Sequence, residues 1–158
     1  MRRKDIFLFG AWACVALTLL GRALFSPQLA LANFGDLYTY HTPLRHLAIS
    51  ALQSGRLPFW NPYIFCGLPL LANSQAVVFY PVSILGAFFP LGLAFSWDYA
   101  FHLLWGGLGL ALLAKREGLS ASSSLLIVSL YCFSPFLLYR ITEGIPTLLA
   151  ALAWAPWC

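Results

Sequence analysis

The sequence predicts an all-α polytopic membrane protein. Three observations carry that prediction. Of the 158 residues, 61% are hydrophobic and 9% are charged, with a mean hydropathy of +0.80. A surface facing water needs far more charge than this. Apolar runs of helix-spanning length recur along the chain. The basic residues, net +4, stand singly or flank those runs, where they set orientation. They form no polybasic arm, so the usual footprint of nucleic-acid binding is missing. Within this class we expect three full transmembrane helices and a partial fourth, in one transmembrane domain over 1–158. A large first external loop should hold an amphipathic helix and a membrane-embedded broken helix.

The first span is "IFLFGAWACVALTLLGRALF", residues 6–25, preceded by "MRRKD". Twenty residues reach roughly 30 Å, the thickness of the hydrocarbon core. "ALA" at 30–32 resembles a signal-peptidase site, but the apolar run exceeds the ~7–15 residues of a signal peptide's core, which favours an uncleaved anchor. The next apolar run, Val77 to Phe95, contains Pro81 and Pro90. Full spans then follow at 97–114 and 120–139, and a last run covers 145–158. Ser120 fits the N-cap of the third span, after the tight turn "KREGLS".

Charge counting decides how Val77–Phe95 is read. If it does not cross, Arg2, Arg3, Lys4, Lys115 and Arg116 put five basic residues inside, against three outside (Arg45, Arg56 and Arg140). If it crosses, the count becomes four against four. The positive-inside rule favours a proline-broken, non-crossing segment. The amino terminus is then cytoplasmic, residues 26–96 form the first external loop, and "RITEG" forms a short second one. The last run has fourteen residues, reaching about 21 Å, too short to cross. We therefore expect the amino-terminal fragment of a longer protein.

In the first external loop, Thr42 fits a cap, Pro43 the first helical position and Gly55 a terminator, predicting a helix over 42–54. Leu44, Leu47, Ala48, Ala51 and Leu52 share its apolar face, and Arg45, His46 and Gln53 fall elsewhere. Such a helix suits the membrane surface. "GRLPFWNPYIFCGLPLLANSQ" follows, with three prolines that forbid a regular helix and aromatics that suit the headgroup zone. A long ordered loop of this kind reads as a binding loop.

Chemistry-bearing residues are few. Asp36 stands about ten residues after the first span, and Glu143 lies in the second external loop, on the same side under this topology. Two such acids serve as general base, metal ligand or acceptor for a hydroxyl. Arg45, Arg56 and Arg140 share that side and suit a phosphate or pyrophosphate. Plainer readings stand beside these. Asp36 also fits a turn after Gly35. Glu143 pairs with Arg140 at i,i+3 spacing. The arginines fit interface anchors. His41 and His46 have no metal-binding frame. Asp98 suits the amino-terminal end of its helix, and His102 packing between helices. The four cysteines, Cys14, Cys66, Cys132 and Cys158, have no Cys-x-x-Cys spacing and read as small apolar fillers.

The order "GDLYTYHTP", "SGRLPFWNPYIFCGLPLLANSQAVVFYP", "HLLWGGLGLALLAKREGLS" and "EGIPTLLAALAWAPW" resembles the YfhO-type bacterial membrane proteins, which look like members of the GT-C superfamily of glycosyltransferases. The resemblance runs from about Gly35 to the end. It implies a GT-C-like fold in the bacterial plasma membrane. It also implies transfer of a sugar from a polyprenyl-phosphate-linked donor to a cell-envelope glycopolymer or lipid acceptor on the outer face, among membrane lipids and without nucleic acid. Asp36 matches the family's acidic residue after the first span and would be catalytic. Arg45, Arg56, Trp60, Asn61, Gln75, Arg140 and Glu143 would bind substrate. No DxD or ExD pair is present, so the resemblance assigns no metal ligand and leaves a divalent metal open. Two other functions compete: a lipid or polymer transporter, which needs ionisable groups near mid-span, and a non-catalytic structural membrane subunit. The visible spans hold mainly Thr18, Arg22, His102, Ser129 and Ser134 as polar candidates.

Overall fold

The computed structural model of the chain describes residues 3–25 and 35–158, with side chains for 8–18, 21 and 35–158. The Ala30–Ala32 run and the side chains of Arg2, Arg3 and Lys4 lie outside that description. The chain is helical over most of its length. Among the described residues seven α-helices follow in order: α1 (Arg3–Phe25), α2 (Thr42–Gln53), α3 (Pro81–Gly86), α4 (Leu91–Arg116), α5 (Ala121–Cys132), α6 (Pro135–Glu143) and α7 (Pro146–Trp154). A π-helical turn, Leu37–His41, leads into α2. Between α2 and α3 lies a minimal antiparallel hairpin, β1 (Trp60–Asn61) and β2 (Leu68–Pro69), with Trp60 opposite Pro69 and Asn61 opposite Leu68.

Helix α4 is the hub. It packs on α1, α3, α5 and α7. Its glycines make close approach possible: a Cβ at Gly106 would come within 3.1 Å of the Ala153 backbone, and one at Gly107 within 2.8 Å of the Trp12 ring. Small residues let helices approach in this way where burial of apolar groups from water supplies little drive. The main core joins Phe95, Tyr99 and Leu103 of α4 to Val128, Cys132, Leu137, Ile141 and Leu149, with Leu37 inserted from the π turn. A second core lies under the loop, where Leu44 and Ala48 of α2 cover Leu70, Ala76 and Val78.

Capping chemistry sets most boundaries. Ser120 Oγ accepts the Ser123 N–H at 3.2 Å and starts α5. Gly55 ends α2 in the left-handed region, and Arg56 N–H reaches the Ala51 carbonyl at 2.9 Å, a Schellman closure. Thr42 does not cap α2. The helix already runs through it from the π turn, where the Thr42 N–H reaches the Leu37 carbonyl. Pro43 lacks an N–H, and the wider π turn before it tolerates that loss.

Other expectations need correction. The single span over 120–139 is two helices, because Ser134 caps a new start at Pro135 and accepts the Leu137 N–H at 3.3 Å. The "RITEG" loop is mostly the last turn of α6. Val77–Phe95 is not one broken helix. Its middle is the six-residue α3, about 9 Å long, and Leu91–Phe95 open α4. The buried face of α2 is formed by Leu44, Arg45, Ala48 and Ile49, so Arg45, expected off the apolar face, lies on the buried one.

Among the described residues, one helical stretch is long and apolar enough to cross a membrane: Ala121–Glu143, the α5–α6 pair, with mean hydropathy 1.7. Only 17% of its most apolar window is buried. Leu126, Leu130, Phe136 and Leu138 are turned outward. Helix α4 is longer, but Asp98, His102, Lys115 and Arg116 lower its hydropathy.

Candidate functional site

Gly35 and Leu37, which flank Asp36, lie against the Glu143–Gly144 backbone. A Cβ on Gly35 would sit 2.6 Å from the Glu143 carbonyl oxygen. Gly144, at φ +80°, lies so close to Leu37 that an added Cβ would meet the Leu37 nitrogen at 2.8 Å. Only a residue without a side chain permits that approach at that φ. The segment carrying Asp36 is thereby pressed against the α6–α7 junction. Asp36 is exposed and its side chain caps no N–H of the π turn. Glu143 accepts from Arg140 at 2.5 Å, and both are about one-third exposed. The Arg140 guanidinium lies 5.3 Å from the Phe136 ring centre.

His41 completes this end of the molecule. The π turn puts residues five apart in register, which brings Asp36 near His41. His41 is 5% exposed. Burial, then the nearby Arg45 charge, pull its pKa below the ordinary 6.5, while Asp36 and a hydrogen bond with the Gln75 backbone oppose them. The Gln75 side chain accepts from Thr147 Oγ1 at 2.6 Å, tying the loop to the start of α7. Asp36, His41, Gln75, Thr147, Arg140 and Glu143 thus share one neighbourhood. Sequence reasoning missed His41 and Thr147. The five-residue interval from Asp36 to His41 is the one signal, and it has meaning only in a π turn.

The lowered His41 pKa gives a pH dependence with a definite sign. Above about pH 6.5 both folded and unfolded states are neutral at this residue. As pH falls through 6.5, the unfolded chain takes up a proton that the folded chain resists, so stability drops until the folded pKa is reached. Unfolding followed between pH 7.5 and 5 should therefore lose stability toward acid in the wild-type chain. His41→Gln should flatten that slope, and an unchanged slope would remove His41 as its source.

The remaining residues singled out from the sequence lie elsewhere. Arg45 is 5% exposed, donates to Asp98 Oδ2 at 2.7 Å and lies 4.6 Å over the Phe95 ring. It is consumed inside the fold and is not free for a phosphate. Arg56 is exposed at the far end of α2, about 18 Å along the helix from His41. Trp60 covers Gly67 in the hairpin, and Asn61 is buried with its Oδ1 accepting the Tyr63 N–H at 3.0 Å, a turn role. Arg140 is the sequence-selected arginine that pairs with Glu143, whose backbone lies against Gly35.

A second polar centre was not foreseen. Asp98 is the eighth residue of α4, not near its start, because the helix begins at Leu91. Its other oxygen, Oδ1, is 2.8 Å from His102 Nδ1, which also lies 2.7 Å from the Asp98 backbone carbonyl oxygen. His102 Nε2 is 2.6 Å from the Tyr80 hydroxyl, which is 3.0 Å from Trp154 Nε1. The proton positions follow from elimination. His102 Nδ1 faces two acceptors, the Asp98 carbonyl and Oδ1, so in the neutral ring it carries the proton. His102 Nε2 then accepts the Tyr80 O–H, and the Tyr80 oxygen accepts the Trp154 indole N–H. The chain of bonds joins the loop, α2, α4 and α7.

Among the described residues no group of three or more His, Cys, Asp or Glu side chains gathers to hold a metal ion. Comparison with protein-family models, curated proteins and solved structures returned no match.

Proposed function

We propose that the chain belongs to a polytopic membrane glycosyltransferase of GT-C type in the bacterial plasma membrane, its amino terminus cytoplasmic. It would move a sugar from a polyprenyl-phosphate-linked donor to a cell-envelope acceptor on the outer face. The observation that carries this reading is the approach of Gly35–Leu37 to Glu143–Gly144, which gathers two carboxylates and Arg140 at one end of the molecule. The outward apolar surface of α5–α6 supports a lipid setting. Transfer requires a base for the acceptor hydroxyl and positive charge for the departing phosphate. Asp36 supplies the first and Arg140 the second. Glu143 orients Arg140, and buried His41, neutral at pH 7, adds no competing positive charge beside Asp36.

The test is Asp36→Asn, assayed in membrane vesicles with a radiolabelled lipid-linked sugar. Transfer should fall by about 100-fold or more while insertion is unchanged. Retained transfer would remove Asp36 from the mechanism. A transporter is the second reading, and the buried Arg45–Asp98–His102 cluster favours it, because ionisable groups inside a helical bundle mark transport pathways. Movement of the lipid-linked sugar across the vesicle without covalent change would support that reading.

A further inference from the structure

The Asp98–His102–Tyr80 chain ends on a hydroxyl that the sugar-transfer reading does not use. Its parts match those of an activated nucleophile: a hydroxyl 2.6 Å from an imidazole nitrogen, and a carboxylate 2.8 Å from the opposite nitrogen. The carboxylate, together with the Asp98 backbone carbonyl 2.7 Å from the same nitrogen, holds the imidazole in one tautomer, the role the carboxylate plays in hydrolytic triads. Asp98 and His102 are 3% and 1% exposed, whereas Tyr80 is half-buried and bonded to the exposed Trp154. Trp154 occupies one lone pair of the Tyr80 oxygen and the O–H faces His102, so one lone pair remains for attack.

The surroundings select the ligand. Trp105 stacks on Trp157 with centroids 4.3 Å apart and on Phe101 at 5.9 Å, and it meets Trp154 edge-on at 5.3 Å. Phe101, Trp154 and Trp157 keep 41%, 43% and 37% of their surface exposed. This is an aromatic wall beside the hydroxyl. The cation of the network, Arg45, is held on the far oxygen of Asp98. An uncharged ester with an apolar acyl group fits this surface better than a phosphoryl group.

We propose that Tyr80 is a nucleophilic tyrosine that accepts the acyl group of an apolar ester, with His102 as its base and Asp98 as the residue that positions His102. The Tyr80 oxygen attacks the ester carbonyl carbon, and its proton passes to His102 Nε2. The ester C–O bond breaks, and the leaving alcohol departs with the electron pair and takes the proton from His102. Tyr80 is left as an aryl ester, which a second hydroxyl or water then cleaves. This site stands apart from the Asp36 reading and does not depend on it.

The test uses p-nitrophenyl butyrate on the whole chain in detergent micelles, with butyrylation located by peptide mass mapping. Tyr63, 80% exposed, is the internal reference. Tyr80 should be acylated about tenfold or more faster than Tyr63. His102→Gln keeps an acceptor for the Tyr80 O–H and removes the base. It should bring the Tyr80 rate down to that of Tyr63 while the Tyr63 rate holds. Tyr80 acylation no faster than that of Tyr63 in the unmodified chain would overturn the proposal, whether or not the variant folds. A Tyr80 rate that survives His102→Gln would overturn it as well.

Discussion

Asp98→Asn should lower the unfolding free energy by about 3–5 kcal/mol, the cost of leaving one member of a buried ion pair without its partner. Arg45 is 5% exposed and Asp98 3% exposed, and their contact is 2.7 Å. Removing the carboxylate charge strands the guanidinium in a core formed by Phe95 and its neighbours. The amide also serves His102 Nδ1–H less well than a carboxylate, because charge-assisted bonds are the stronger kind. The Arg140–Glu143 pair provides the contrast. It is about one-third exposed, so Arg140→Met should cost under about 1 kcal/mol. Denaturant unfolding in micelles would measure both variants. A loss below about 1 kcal/mol for Asp98→Asn would mean that α2 is not fastened to α4 through this pair.

Gly144→Ala should cost about 2–4 kcal/mol, and Gly118→Ala about 1 kcal/mol. The two glycines have nearly the same backbone, at φ +80° and +78°. They differ in what a side chain would meet. At Gly118 nothing lies within 4 Å, and at Gly144 the Leu37 nitrogen and Cα lie 2.8 and 3.0 Å away. The conformational penalty is shared, so the difference between the variants measures the contact. That contact holds Asp36 beside Glu143, and Gly144→Ala should also separate the two acids. Equal losses in the two variants would mean that the Leu37–Gly144 approach yields without resistance.

The residue pattern revealed the helices better than their partners. Apolar periodicity and the Pro43 and Gly55 signals located α2, and Ser120 announced α5. Pro135 was equally visible, but a long apolar run concealed the break that Ser134 and Pro135 make together. Arg45 shows the limit most clearly. By helical position it fell off the apolar face, and a lone arginine in a loop reads as a surface anchor. Its burial depends on Asp98, which is 53 residues away and has no local sequence signature. For the same reason His102 read as a packing residue. The Asp36–Glu143 approach depends on Gly35 and Gly144, and glycine in a sequence signals a turn without naming what lies against it.

The shared face of Asp36 and Glu143 is the central claim, and sidedness tests it most directly. Cys14, Cys66, Cys132 and Cys158 would be replaced, and single cysteines placed at 36 and at 143 in the membrane-inserted protein. Each would be treated with a membrane-impermeant maleimide from one side at a time. Both positions should label from the outer side. Labelling of the two from opposite sides would contradict the shared face, since acids separated by a bilayer form no common site.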